Sequence, residues 1–218
     1  MTTSTTLADR IRTTLSDIEL PEQIAARFGA EQDALDAAGL PADVLGAGDA
    51  MPDGELLDVH GKPTTLAATR EGAPAVVVLY RGAWCPYCNV ALRAYEQDLT
   101  GPLAERGVRL VAVSPQTPDG SLSISEKAEL TYDVLSDPGN RIASALGVLF
   151  TSSDDVRAAQ GELGLDVTAV NADGTAGLPM PTVVLVDRDG TIAWIDVQPN
   201  YARRTEPAAI LEAVSRLA

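Results

Sequence analysis

The sequence predicts an α/β protein, a central mixed β-sheet flanked by helices, with an N-terminal helical extension. Two observations carry this prediction. Through the middle of the chain, short apolar runs rich in β-branched residues alternate with stretches of helical periodicity, the pattern of β-α-β units around a parallel sheet. Towards the C-terminus two such runs, Thr182 to Val186 and Thr191 to Val197, are separated only by the tight turn DRDG at 187–190, which makes them an antiparallel hairpin. Parallel units feeding an antiparallel hairpin give a mixed sheet, and the helices between them must cover its faces. A chain of 218 residues with 45% hydrophobic content holds one sizeable core plus an extension.

The elements follow in order. From Leu7 to Leu40 apolar residues recur at helical spacing and the pattern breaks at Pro21, so two helices form an extension over residues 1–44. The Gly/Pro/Asp cluster at 46–54 opens the main domain, residues 45–218. Glu55 to His60 reads as a strand entering a turn at Gly61 to Pro63, with His60 at the tip. There a surface turn residue is a simpler reading than a general base. Ala75 to Tyr80 is an apolar, β-branched run, a strand buried on both faces. Cys88, Leu92, Tyr95 and Leu99 follow at steps of four, three and four, one stripe of an amphipathic helix.

Arg109 to Ser114 is the next strand, Ser121 to Thr131 a helix, and Tyr132 to Ser136 a strand. Asn140 to Leu146 ends in Gly147, which suits a helix C-cap. The Gly/Asp-rich stretch from Thr151 to Leu178 reads as an insertion and a candidate lid. After the hairpin, Pro207 to Leu217 closes the chain as an amphipathic helix. No repeat or low-complexity tract interrupts this order.

The chemistry lies in GAWCPYCN at 82–89, where Cys85 and Cys88 are the only cysteines of the chain. They fall where the buried strand turns into the helix. Pro86 fits the first helical position, which needs no backbone N–H partner, and so makes Cys85 the cap. Unpaired N–H groups and the helix dipole favour a negative sulfur there, and such motifs bring a thiol from about 8.5 into a range of roughly 3.5–7.5. Cys88, one turn further on, is within reach for a small disulfide ring. Core filler is a poor account of two thiols at this spacing beside Trp and Pro. Zinc needs four ligands, and the chain has a single histidine, so no metal and no cofactor is expected. A loop this short would also make a weak structural cross-link.

A net charge of −15 with no Lys/Arg run speaks against nucleic acid and anionic membranes as partners. No stretch approaches the ~20 apolar residues of a membrane span. The polar start MTTSTTLADRIR has no apolar signal core, so a cytoplasmic location is expected. In that compartment a vicinal dithiol points to redox chemistry. The oligomeric state is open, a homodimer included.

Tyr80 to Asn89 resembles the WCxxC signature of thioredoxins and glutaredoxins, and Met180-Pro181-Thr182 resembles the cis-proline segment that faces it. The resemblance implies a thioredoxin-like fold with the dithiol beyond the end of the first central strand. From about Leu45 onwards the chain also resembles peroxiredoxin-like proteins of the alkyl hydroperoxide reductase and thiol-specific antioxidant (AhpC/TSA) family. The stretches SPQTPD at 114–119, VLSD at 134–137 and PTVVLVDRDG at 181–190 carry that resemblance.

Peroxiredoxins have a Pro, a Thr four positions on, the peroxide-reactive Cys three further, and an Arg from a later strand. Aligned on the strand ending at Tyr80, these fall at Arg81, Cys85, Cys88 and Met180, so only the cysteine is retained. Capping therefore selects Cys85 as nucleophile and the alignment selects Cys88. Arg81 is either a replacement for the missing guanidinium or a charge at a strand end, and Trp84 would cover the sulfur and shape a docking surface. Met180 and Pro181 are expected to face the dithiol. Asp187 and Asp189 are turn residues.

The resemblance implies a thiol peroxidase that reduces hydroperoxides through a Cys sulfenic acid, resolved by the second Cys and recycled by an external thiol such as thioredoxin. A disulfide reductase without a peroxide step, or a non-catalytic redox sensor, would use the same pair.

Overall fold

The computed structural model describes residues 5–217. Two helices come first, α1 (Leu7–Leu15) and α2 (Glu22–Ala38), broken at Pro21 as the sequence predicts. There follow β1 (Leu56–Leu57), β2 (Pro63–Thr64), α3 (Leu66–Arg70), β3 (Ala75–Leu79), α4 (Pro86–Ala104), β4 (Arg109–Ser114), α5 (Pro118–Ala128), β5 (Asp133–Ser136) and α6 (Arg141–Ala145). The chain ends with β6 (Leu149–Thr151), α7 (Asp154–Glu162), α8 (Val167–Val170), β7 (Gly177–Pro179), β8 (Thr182–Val186), β9 (Ile192–Val197) and α9 (Pro207–Ser215).

Seven strands form one sheet in the order β2-β1-β5-β4-β3-β8-β9, and β6 and β7 pair separately. β3 runs parallel to β4, and β4 to β5, while β8 is antiparallel to both β3 and β9. The sheet is therefore mixed and flanked by helices, with β4 at its centre and β3 beside it, between β4 and β8. All five residues of β3 are buried, which explains its continuous apolar sequence.

Successive β3 side chains alternate between two cores. Val76 and Val78 join Leu92, Tyr95 and Leu99 of α4, Ile210 of α9, and Leu7 and Ile11 of α1. Ala75, Val77 and Leu79 join Leu66, Ile142, Leu146 and Met180 on the other face. Each fully buried Leu or Val contributes about 1.5–3 kcal/mol relative to exposure. α1 thus shares the core that carries α4, and α2 packs on α7.

The stretch 151–178 carries α7, α8 and strand residues of the β6–β7 pair, and two other expectations are corrected. α7 starts on a Ser153 side chain that accepts the Val156 N–H, and Val156 and Ala159 are buried beneath it. α5 starts at Pro118 rather than Ser121 and ends at Ala128, before the predicted Thr131. The peptide bond before Pro181 is not cis, since no cis bond occurs among the described residues. There the chain passes from β7 into β8 with bonds on both sides of the proline. Met180 N–H donates to the Val148 carbonyl, and the Pro181 carbonyl accepts from Gln198 N–H.

Gly147 does end α6 as expected. Its φ is +76°, and an added Cβ would lie 2.5 Å from the Asp43 carbonyl oxygen. No helix among the described residues is long and apolar enough to cross a membrane.

Candidate active site

The site lies where β3 gives way to α4. Tyr80 is still tied to the sheet, its N–H donating to the Val113 carbonyl. Gly82 then turns the chain with φ +146°, packed so closely that an added Cβ would stand 2.5 Å from Trp84 Nε1. Buried Gln116 braces this turn from the end of β4. Its Oε1 accepts the Ala83 N–H at 2.8 Å, and its Nε2 donates to the Tyr80 hydroxyl at 2.9 Å.

Cys85 is the N-cap of α4 and Pro86 occupies the first turn, as the sequence predicts. The backbone caps, for the Cys85 carbonyl accepts from Cys88 N–H at 3.0 Å and Asn89 N–H at 3.1 Å. The sulfur does not cap. Its side chain receives no helix N–H, so the helix terminus gives Cys85 no hydrogen bond that would favour a thiolate there.

Charge instead collects at Cys88. Both cysteines are buried, 1% and 0% exposed, and both are free thiols. Arg204, from the segment between β9 and α9, donates from Nη2 to Cys88 Sγ at 3.0 Å and reaches Cys85 Sγ at 3.7 Å. The same guanidinium is held by the carbonyls of Tyr201 and Arg203, each at 2.6 Å. Burial pushes the Cys88 thiol up, but the hydrogen bond from Cys85, the Arg204 charge and the Arg81 backbone N–H outweigh it and hold Cys88 well below its ordinary range. Burial and the donation of its proton to Cys88 hold Cys85 well above. These opposite shifts favour a thiolate on Cys88 and a thiol on Cys85.

Arg81 is 3% exposed and is not a surface charge. Its guanidinium lies between two rings, 4.9 Å from the Trp84 centroid and 4.2 Å from that of Tyr201. No carboxylate among the described residues pairs with it, and its Nε has no hydrogen-bond partner.

Arg81, Trp84 and Cys85 line one wall of a cleft of about 470 Å³. The opposite walls come from Leu15, Ile18 and Leu20 around the α1–α2 connection, Phe28 of α2, and Leu163 and Leu165 after α7. Cys88 does not line it. Behind Cys88 is a void of about 10 Å³ bounded by Pro181, Tyr95 and Arg204.

The structure thus brings together Arg81, Trp84, Cys85 and Cys88, and brings Pro181 to the rear of Cys88. Met180 lies apart from the cleft, buried in the opposite core. His60 is exposed in the β1–β2 turn, and Asp187 accepts the Asp189 and Thr191 N–H groups within its hairpin, as expected of turn residues. The sequence reading missed Arg204, Tyr201 and Gln116. The guanidinium expected from a later strand near Met180 comes instead from beyond β9. The only local signal was the pair Arg203-Arg204 in an otherwise acidic chain.

No group of three or more metal-ligating side chains occurs among the described residues. A thiolate, a neighbouring thiol and two guanidinium groups support nucleophilic sulfur chemistry and thiol–disulfide exchange.

Comparison with known proteins agrees with this geometry. A Mycobacterium tuberculosis protein named as a peroxiredoxin is 30% identical over 103 residues, 47% of this chain and 64% of that protein. The chloroplastic peroxiredoxin Q of Populus jackii is 31% identical over 101 residues, 46% of each chain. The matched stretch therefore spans about half to under two thirds of these relatives. The crystal structure of peroxidoxin BcpB from Mycobacterium tuberculosis superposes with a TM-score of 0.61 at 20% identity, covering 80% of this chain and 99% of that one. It shares the thioredoxin-like fold of the present structure. The family model described as "AhpC/TSA family" matches residues 47–195, most of the sheet and both cysteines, and the chain belongs to that family.

Proposed function

We propose that the protein is a thiol peroxidase in which Cys88 attacks the peroxide and Cys85 resolves. The observation that carries this is Arg204 Nη2, 3.0 Å from Cys88 Sγ, which favours the thiolate on that sulfur rather than on the helix cap. The Cys88 thiolate attacks one peroxide oxygen and the O–O bond breaks. Cys88 becomes a sulfenic acid, and the departing alkoxide or hydroxide takes a proton from the Cys85 thiol or from water. The Cys85 sulfur then attacks the Cys88 sulfur, water leaves, and a Cys85–Cys88 disulfide remains. Two external thiol equivalents, such as those of a thioredoxin in a reducing cytoplasm, restore the dithiol and are themselves oxidised to a disulfide.

The test is to trap the sulfenic acid with a dimedone-type probe. Labelling is expected in Cys85→Ser and not in Cys88→Ser. Wild type should lose two hydrogens by intact mass after mild peroxide, without a disulfide-linked dimer. Labelling of Cys85 in Cys88→Ser alone would reverse the roles.

A disulfide reductase using the same pair is the second reading. It is favoured by one observation: the cleft ends on Cys85, the sulfur expected to exchange with a partner thiol. Rapid disulfide reduction with no peroxide turnover and no sulfenic acid would select it.

A further inference from the structure

Cys85 sits at the wall of a cleft whose volume, about 470 Å³, is that of a small-molecule site. The residue is 1% exposed, so an incoming thiol has to enter the cleft to reach it. The cleft is mostly apolar, with Gln32 and Gln160 among its polar side chains, yet a buried guanidinium lines it without a carboxylate partner. Arg81 lies between the rings of Trp84 and Tyr201, and no carboxylate among the described residues pairs with it, so in the disulfide form no thiolate or carboxylate balances its charge. A charge kept this dry is costly unless an anion completes it. The walls facing Arg81 come from residues 15–32 and 160–165, so the cleft depends on the N-terminal helices and α7.

We propose that the cleft binds a small thiol carrying a carboxylate, whose anion pairs with Arg81 while its sulfur attacks Cys85 of the oxidised dithiol. This deepens the proposed function, because it rests on a Cys85–Cys88 disulfide forming in turnover. The incoming thiolate sulfur bonds to Cys85 Sγ, the Cys85–Cys88 bond breaks, and Cys88 leaves as a thiolate beside Arg204. A second molecule of the same thiol, as its thiolate, attacks the mixed disulfide. It releases the symmetrical small disulfide and Cys85, which takes a proton from water. Two thiols are oxidised and one protein disulfide is reduced. Exchange is favoured when the sulfur that lines the cleft is attacked and the more acidic one departs, and these are Cys85 and Cys88 respectively.

The test uses disulfide protein prepared with diamide, so peroxide chemistry plays no part. Its reduction by 3-mercaptopropionate and by the methyl ester of that acid is followed by acid quench, alkylation and intact mass. Each rate is divided by the thiolate concentration and by the same thiol's rate with an exposed small-molecule disulfide. Wild type should favour the acid over the ester by about tenfold or more, the size of one charge-assisted hydrogen bond. Arg81→Gln should remove that preference by slowing the acid alone, and Arg81→Lys should keep part of it. Should Arg81→Gln not fold, competition by propionate against the acid, but not against the ester, replaces it. Equal normalised rates for acid and ester in wild type, equal slowing of both in Arg81→Gln, or reduction by thioredoxin with neither small thiol would overturn the proposal. Absence of peroxide turnover would remove the peroxidase reading and leave this result standing.

Discussion

Removing the Arg204 guanidinium is the most direct test of the charge arrangement. At the 3.0 Å separation of Nη2 from Cys88 Sγ, opposite unit charges attract by about 1.4 kcal/mol in a water-like dielectric and about 5.5 kcal/mol at an effective value near 20. A hydrogen bond to a charged group is worth about 1.5–3 kcal/mol net, inside that bracket, and Arg204 is only half-buried, which keeps it away from the upper limit. At a pH below the wild-type thiolate midpoint, the thiolate fraction scales directly with this stabilisation. One factor of ten per 1.36 kcal/mol then gives a loss of about ten- to 150-fold in Arg204→Gln. Arg204→Lys keeps the charge but not the fork that reaches both sulfurs, and should fall between.

The measurement is thiolate absorbance against pH, together with the second-order rate with peroxide. Both are made in a Cys85→Ser background so that one thiol titrates while a hydroxyl still donates to it. A thiolate midpoint that does not rise in Arg204→Gln, with a peroxide rate within twofold of its parent, would refute the assignment of Arg204. The thiolate would then have to be stabilised by the helix terminus and the Arg81 N–H.

Gly82→Ala drives a Cβ to 2.5 Å from Trp84 Nε1 at a φ of +146°, so urea unfolding should show a loss of about 1–3 kcal/mol, with near-ultraviolet circular dichroism reporting a displaced Trp84. Gln116→Leu orphans the Ala83 N–H and the buried Tyr80 hydroxyl and should cost about 1–3 kcal/mol, with faster hydrogen exchange confined to residues 80–84. The two thiols also make stability depend on pH with opposite signs. Cys88, held low, stabilises the reduced fold above the ordinary thiol value of about 8.5, and this is lost as pH falls through its lowered folded value. Cys85, held high, stabilises it below about 8.5, and this is lost as pH rises through its raised value. The stability of the reduced protein minus that of the disulfide form should therefore peak near the ordinary thiol range, and a difference flat with pH would refute the thiolate–thiol pair.

What the sequence disclosed was whatever local physics decides. A short run of five apolar, mostly β-branched residues reads as a buried strand and is β3, and the stripe from Cys88 to Leu99 is one face of α4. Pro86 set the first turn of that helix, and Gly147 ended α6 because no side chain fits beside the Asp43 carbonyl. α7 was missed although Ser153 followed by Asp154 and Asp155 is a legible start signal. Its few buried residues, Val156, Ala159 and Gln160, left too weak an apolar stripe to outweigh the glycines around it. Beyond standing in the pair Arg203-Arg204, Arg204 carried no local signal of function, because 116 residues separate it from Cys88 and only the folded sheet brings them together.

The same separation explains why the helical extension belongs to the site. The segment that carries Arg204 is anchored at both ends to elements outside the family match at 47–195. Asn200 Nδ2 and Arg203 Nη2 donate to the Asp36 carboxylate of α2, and the Glu206 carboxylate accepts the Leu7 and Ala8 N–H groups at the start of α1. That last contact satisfies two orphan donors and places a negative charge on a helix N-terminus, which is where the dipole favours it. Between these anchors the Thr205 carbonyl accepts from the Tyr95 hydroxyl of α4, and Arg204 reaches both sulfurs. The family match supplies the dithiol and the strand that presents it. The guanidinium that donates to Cys88, and the cleft wall formed by residues 15–32, come from what lies on either side of that match. A loss of α1 and α2 should therefore act on thiol chemistry before it breaks the sheet, because the Arg204 segment would lose its bonds to Asp36 and to the start of α1 while β3, β4 and β8 keep all their strand pairings.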